Sequence, residues 1–189
     1  HLEVVRVLIE AQANVDQAMK DGAAPLLIVA EKGHLEVARV LIEAQANVDQ
    51  PNNNGATPLF IAAQKGHLEV ARVLIEAQAN VDQLEENGST PLFIAAEEGH
   101  LEVVRVLIEA QANVDQPTKD RWNCGATPLC IAVQKGHLEV ARMLIEAQAN
   151  VDQPTDEGAT PLYFAAWYGY LEVTRMLIEA QANVDQPEN

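Results

Sequence analysis

Between His67 and Ala77 the apolar and polar positions follow a helical period. Leu68, Val70, Ala71, Val73, Leu74, Ile75 and Ala77 make a wide apolar surface and leave Glu69, Arg72 and Glu76 on one narrow polar stripe. Such a helix must be buried on several sides. Just before it, Thr57-Pro58-Leu59-Phe60-Ile61-Ala62-Ala63 places a capping hydroxyl ahead of a proline at the first helical position, which predicts a second, shorter helix ended by Gly66. After the longer helix, Asn80-Val81-Asp82-Gln83, a polar tip and Gly88 read as a hairpin-like turn.

This block recurs. Gly-His-Leu-Glu-Val appears at Gly33, Gly66, Gly99 and Gly136, with Gly169-Tyr170-Leu171-Glu172-Val173 as a variant, so the intervals are 33, 33, 37 and 33 residues. Segment 1–17 is identical to 100–116, and 34–50 to 67–83, which marks the units as copies of one another. The chain divides into a partial unit at 1–15, units at 16–48, 49–81, 82–114, 115–151 and 152–184, and the start of a further unit at 185–189, all in a single array over 1–189. One helix pair cannot cover so much apolar surface. Stacked copies can, which predicts a solenoid.

A period of 33 residues carrying Gly-x-Thr-Pro-Leu, Ala-Ala, Gly-His and Leu-Ile-Glu-Ala resembles the ankyrin repeat, and the resemblance covers essentially the whole chain. The expected fold is an all-α repeat solenoid of stacked helix-turn-helix ankyrin-like units with β-hairpin-like tips. Two departures stand out. Where ankyrin repeats usually carry His after Thr-Pro-Leu, this chain has Leu27, Phe60, Phe93, Cys130 or Tyr163, so the polar bridge between repeats expected there is absent. The Gly that usually follows the second helix is replaced by Gln12, Gln45, Gln78, Gln111, Gln148 and Gln181, so these ends either carry strain or close by a different geometry.

Charge narrows the function. With 28 acidic against 12 basic residues the formal net charge is -16, which opposes nucleic-acid or anionic-membrane binding and favours neutral or basic protein partners. Charges interrupt every apolar run, so no membrane insertion is expected. Ser89 is the single serine, and no nucleophile, base and orienting group recur together, so no catalysis and no cofactor are expected. His1, His34, His67, His100 and His137 hold equivalent places in successive units. A whole repeat separates neighbours, too far to share one metal ion, so a hydrogen-bonding role is expected and no metal site. Cys124 and Cys130 are too few for a disulfide framework and fit a reducing compartment, with an intracellular, cytoplasmic setting the expectation.

Comparing the units separates scaffold from varied surface. Variation gathers at the tips, at the residue after Pro-Leu, and at the pairs 31–32, 64–65, 97–98, 134–135 and 167–168. The resemblance implies that tips and short helices form a concave face that binds a protein partner. On it the candidate contacts are Lys119, Arg121 and Trp122 of the lengthened fourth tip, Tyr163, Trp167 and Tyr168 of the last unit, and the carboxylates Glu85, Glu86, Glu97 and Glu98. Two other readings are a structural spacer or peripheral subunit docked in a larger assembly, and the regulatory arm of an enzyme encoded outside this segment. Leu2, Val4, Val7, Leu8 and Ile9 in the first helix, and Val173, Met176, Leu177 and Ile178 in the last, give the expectation that further repeats or another chain cover both ends.

Overall fold

A computed structural model describes residues 2–119 and 125–185, which form eleven α-helices. The long helices are α1 (Leu2–Glu10), α3 (Leu35–Glu43), α5 (Leu68–Glu76), α7 (Leu101–Glu109), α9 (Leu138–Glu146) and α11 (Leu171–Glu179). The short helices are α2 (Pro25–Lys32), α4 (Pro58–Lys65), α6 (Pro91–Glu97), α8 (Pro128–Lys135) and α10 (Pro161–Tyr168). Each short helix packs on the long helix after it and on the short helices of neighbouring units, while the long helices pack on one another, giving two layers.

The local signals work as their chemistry dictates. Thr57 Oγ1 accepts the Phe60 N–H at 3.3 Å, and Thr90, Thr127 and Thr160 cap α6, α8 and α10 in the same way. Ala24 has no side-chain oxygen, and α2 starts without that bond. Gly66 takes φ 70° to end α4, and a Cβ there would come within 2.7 Å of the His100 ring, so both backbone conformation and interrepeat packing require glycine.

The core lies between the two layers. Leu59, Leu74, Leu92, Leu107, Leu129, Leu144 and Leu177 are fully buried, interleaved with alanines such as Ala62, Ala71, Ala95, Ala132 and Ala141 that let helices approach closely. Burial follows position in the stack more than sequence. Val103, Val106 and Leu107 of α7 are 1%, 4% and 0% exposed, while the same residues of the identical helix α1, Val4, Val7 and Leu8, are 62%, 61% and 51% exposed. Leu171, Ile178 and Val184 are exposed at the other end.

The expected β-hairpin-like tips are not formed: among the described residues there is no β-strand and no hairpin. A ladder needs successive backbone pairs between neighbouring segments. Adjacent tips share a single backbone bond instead: Asn53 N–H to Asp21 O (2.9 Å), Glu86 N–H to Asn54 O (2.8 Å) and Lys119 N–H to Asn87 O (2.9 Å). Within a tip, the Asn52 N–H donates to Ala56 O and the Gly55 N–H to Asn52 O, both at 3.0 Å, and side-chain acceptors take further donors. Asn52 Oδ1 accepts from the Asn54 and Ala56 N–H groups, both at 3.0 Å, which closes the tip as an Asx-type turn.

A second line of bonds ties the repeats along the far end of the long helices. Asp16, Asp49, Asp82, Asp115 and Asp152, each after one long helix, accept through Oδ1 the backbone N–H of the Asn that follows the next long helix (Asn47, Asn80, Asn113, Asn150 and Asn183) at 2.8–2.9 Å. Each Asn side chain in turn accepts the N–H of the Asp two residues on, as in Asp82 N–H to Asn80 Oδ1 at 3.1 Å. The sequence had shown Asn-Val-Asp-Gln only as a turn.

Candidate protein-binding site

Among the described residues, concavities lie along the short helices and tips, and two of them hold candidate residues. The first, of about 340 Å³, spans α4 and α6. Phe60, Ile61, Phe93 and Ile94 form its apolar lining, with tip residues Asn52, Asn54, Glu85 and Asn87 and helix residues Gln64 and Glu97 supplying polar groups. The varied positions of two consecutive units thus meet in one groove.

Of the four carboxylates singled out from the sequence, Glu85 and Glu97 line this groove, while Glu86 and Glu98 are exposed and do not line it. They do not act as one cluster. Glu85 Oε1 accepts the Asn87 N–H at 2.9 Å and the Ser89 N–H at 3.2 Å, the same tip-closing task that Asn52 performs one unit earlier. Glu97 pairs with Lys135 Nζ of the next short helix at 3.2 Å. Among the described residues, no group of three or more His, Cys, Asp or Glu side chains is placed to hold a metal ion.

The second concavity, of about 400 Å³, sits at α10 and is lined by Tyr163, Phe164, Trp167 and Tyr168 together with Glu157, Gly158 and Ala159 of the adjoining tip. Tyr163 stacks on Trp167 with centroids 5.9 Å apart and planes at 24°, and Tyr168 stacks on Tyr170 at 5.7 Å. The three aromatic candidates of the last unit therefore share one site. Lys119 lies apart from them in the contacts it makes: its stem packs beside Gly88 of the preceding tip. Arg121 and Trp122, and with them Cys124, lie outside the described residues.

A protein-family model described as "Ankyrin repeats (3 copies)" matches residues 1–85, 44–118, 78–149 and 112–188. The chain belongs to the ankyrin-repeat family. No curated protein matches it. As an ankyrin-repeat solenoid it has the architecture of a protein-protein interaction scaffold, and its repeated residues serve the stack. Among the described residues no helix is long and apolar enough to cross a membrane.

The histidines illustrate this. His67, His100 and His137 each donate Nε2–H to a backbone carbonyl near the end of the short helix of the preceding unit: Glu31 O and Gln64 O at 3.1 Å, and Glu97 O at 2.9 Å. A carbonyl can only accept, so the bond also fixes the tautomer. This is the polar bridge between ankyrin repeats that the missing Thr-Pro-Leu-His histidine would have supplied elsewhere. At that other position Leu27, Phe60, Phe93 and Cys130 are buried apolar contacts.

Cys130 is likewise a packing residue. Burial raises its thiol pKa, only partly offset by hydrogen bonds from Thr127, so at neutral pH the group is a protonated thiol. Cys130 should resist iodoacetamide in the native chain and react once urea unfolds it. Alkylation at equal rates in both states, followed by peptide mass mapping, would contradict this.

Proposed function

We propose that this chain binds a protein partner along the concave side made by α4, α6, α8, α10 and their tips, and that the partner is neutral or basic. The observation that carries the reading is the match between variation and exposure. Of the residues lining the α4–α6 groove at the tips and short-helix ends, Asn52 and Gln64 become Glu85 and Glu97 in the next unit, and the place held by both Asn54 and Asn87 is Asp21 and Glu157 in other units, whereas the leucines and alanines behind them repeat. Apolar floor beside polar wall is the composition of a protein interface. The charge of -16 favours cationic or uncharged partners and disfavours polyanions.

On the same reading residues 1–189 act as one array with unit boundaries after 15, 48, 81, 114, 151 and 184, the setting is intracellular and reducing, and the exposed apolar faces of α1 and α11 take further repeats or another chain. Lys119, Arg121 and Trp122 remain our candidates for contacts from the fourth tip.

Photo-crosslinking tests the concave assignment. A benzoyl-phenylalanine replacing Gln64, on the groove, should capture the partner, and one replacing Arg72, on the polar stripe of α5, should not. Capture from position 72 alone would favour the spacer reading, in which long-helix faces dock inside an assembly.

A further inference from the structure

Positions 167 and 168 correspond to Glu31-Lys32, Gln64-Lys65, Glu97-Glu98 and Gln134-Lys135 in the earlier units, so the scaffold accepts charged or amide side chains at both places. Only the last unit puts Trp167-Tyr168 there, with Tyr163 in place of a buried apolar residue. The stack therefore does not demand these rings. Trp167 is 71% exposed, and the cavity beside it is of a size for one or two side chains.

The chemistry of the walls limits what can enter. Aromatic faces present negative charge density, and Glu157 lines the same cavity with no ion-pair partner among the described residues. An aliphatic side chain would desolvate that carboxylate without pairing it, and an acidic one would be repelled. A cation meets both walls. Between the two protein cations, guanidinium is planar, weakly hydrated, stacks on aromatic faces and can offer a carboxylate two parallel N–H groups, whereas ammonium is a compact, strongly hydrated charge.

We propose that Tyr163, Trp167, Tyr168 and Glu157 form a slot for an arginine side chain carried by a basic segment of the partner, a proposal that rests on the protein-binding reading above. The cation sits against the exposed indole, and the tip carboxylate sets its orientation. Arginine thereby anchors the partner at one end of the concave face.

The test titrates the full chain with three acetylated, amidated hexapeptides of alternating glycine and arginine, glycine and lysine, or glycine and citrulline, which keeps the shape of arginine without its charge. Binding is read by the indole N–H resonance of Trp167, assigned through Trp122→Phe. The arginine peptide should shift that resonance and bind about tenfold more tightly than the citrulline peptide, with lysine in between. Trp167→Leu should weaken arginine binding about tenfold and Glu157→Gln about threefold, with unchanged thermal melts because both side chains are exposed. Equal binding of arginine and citrulline peptides overturns the cation assignment, and equal binding of arginine and lysine overturns the guanidinium assignment. Arginine binding that leaves the Trp167 resonance unmoved, or no binding at all, overturns the slot. None of these results alters which position crosslinks the partner, so the concave reading stands or falls on the Gln64 and Arg72 experiment alone.

Discussion

Leu74→Ala should lower the free energy of unfolding by about 2–5 kcal/mol, while Asn53→Ala should change it by less than about 0.5 kcal/mol. Leu74 is fully buried in α5, which packs on α4 and on the long helices to either side. Truncation removes apolar contact and leaves a void that cannot readily collapse, because neighbouring helices are held on both sides by their own repeats. In a linear array this loss also weakens the coupling between neighbouring units, so the urea transition should broaden as well as move. Asn53 is exposed, and its backbone N–H bond to Asp21 survives substitution; only the Nδ2–H bond to Lys20 O at 3.1 Å is lost. Urea titration of the two variants separates them. Comparable losses would mean that the long-helix leucines are not the core of the stack.

The helices were legible because their determinants are local. Thr-Pro starts α4, α6, α8 and α10, Gly66 ends α4, and the 3.6-residue period of the long helices fixes which leucines face inward. The tips were not, because polar residues followed by glycine suit a hairpin and an Asx-type turn alike. The choice turns on whether a neighbouring tip offers a ladder or one bond, and it offers one. The Asp bonds between successive long-helix ends were hidden for a related reason, since donor and acceptor lie 31 or 35 residues apart. Their signal was present in the unbroken repetition of both Asn and Asp in every unit, although solvation could equally account for exposed polar residues. At the candidate site, grouping by sequence joined four carboxylates. In the structure Glu85 closes a tip and Glu97 pairs with Lys135, since side-chain hydrogen bonding distinguishes residues that composition treats alike.

Replacing Gln45, Gln78, Gln111 and Gln148 together with glycine should stabilise the chain by about 2 kcal/mol. The sequence left open whether these ends are strained or close differently. In the structure they close in the ordinary way, with Gln78 N–H to Ile75 O at 2.9 Å and Ala79 N–H to Leu74 O at 3.0 Å, a Schellman pair. The cost is a left-handed backbone, φ 63°, 67°, 64° and 67° at the four positions, in a residue with a Cβ. That conformation costs roughly 1–2 kcal/mol for an ordinary L-residue. Glycine removes the cost but gives back about 0.4–1 kcal/mol through the greater freedom of the unfolded chain, which leaves about 0.5 kcal/mol net per site. The glutamine side chains are exposed, so little packing is lost. Each site lies in a separate unit, so the gains should add approximately. The urea midpoint should rise with an unchanged slope, and Gln78→Val, which forces a branched side chain into the same backbone, should fall below wild type. A quadruple variant less stable than wild type would show that these left-handed ends carry no strain for glycine to release.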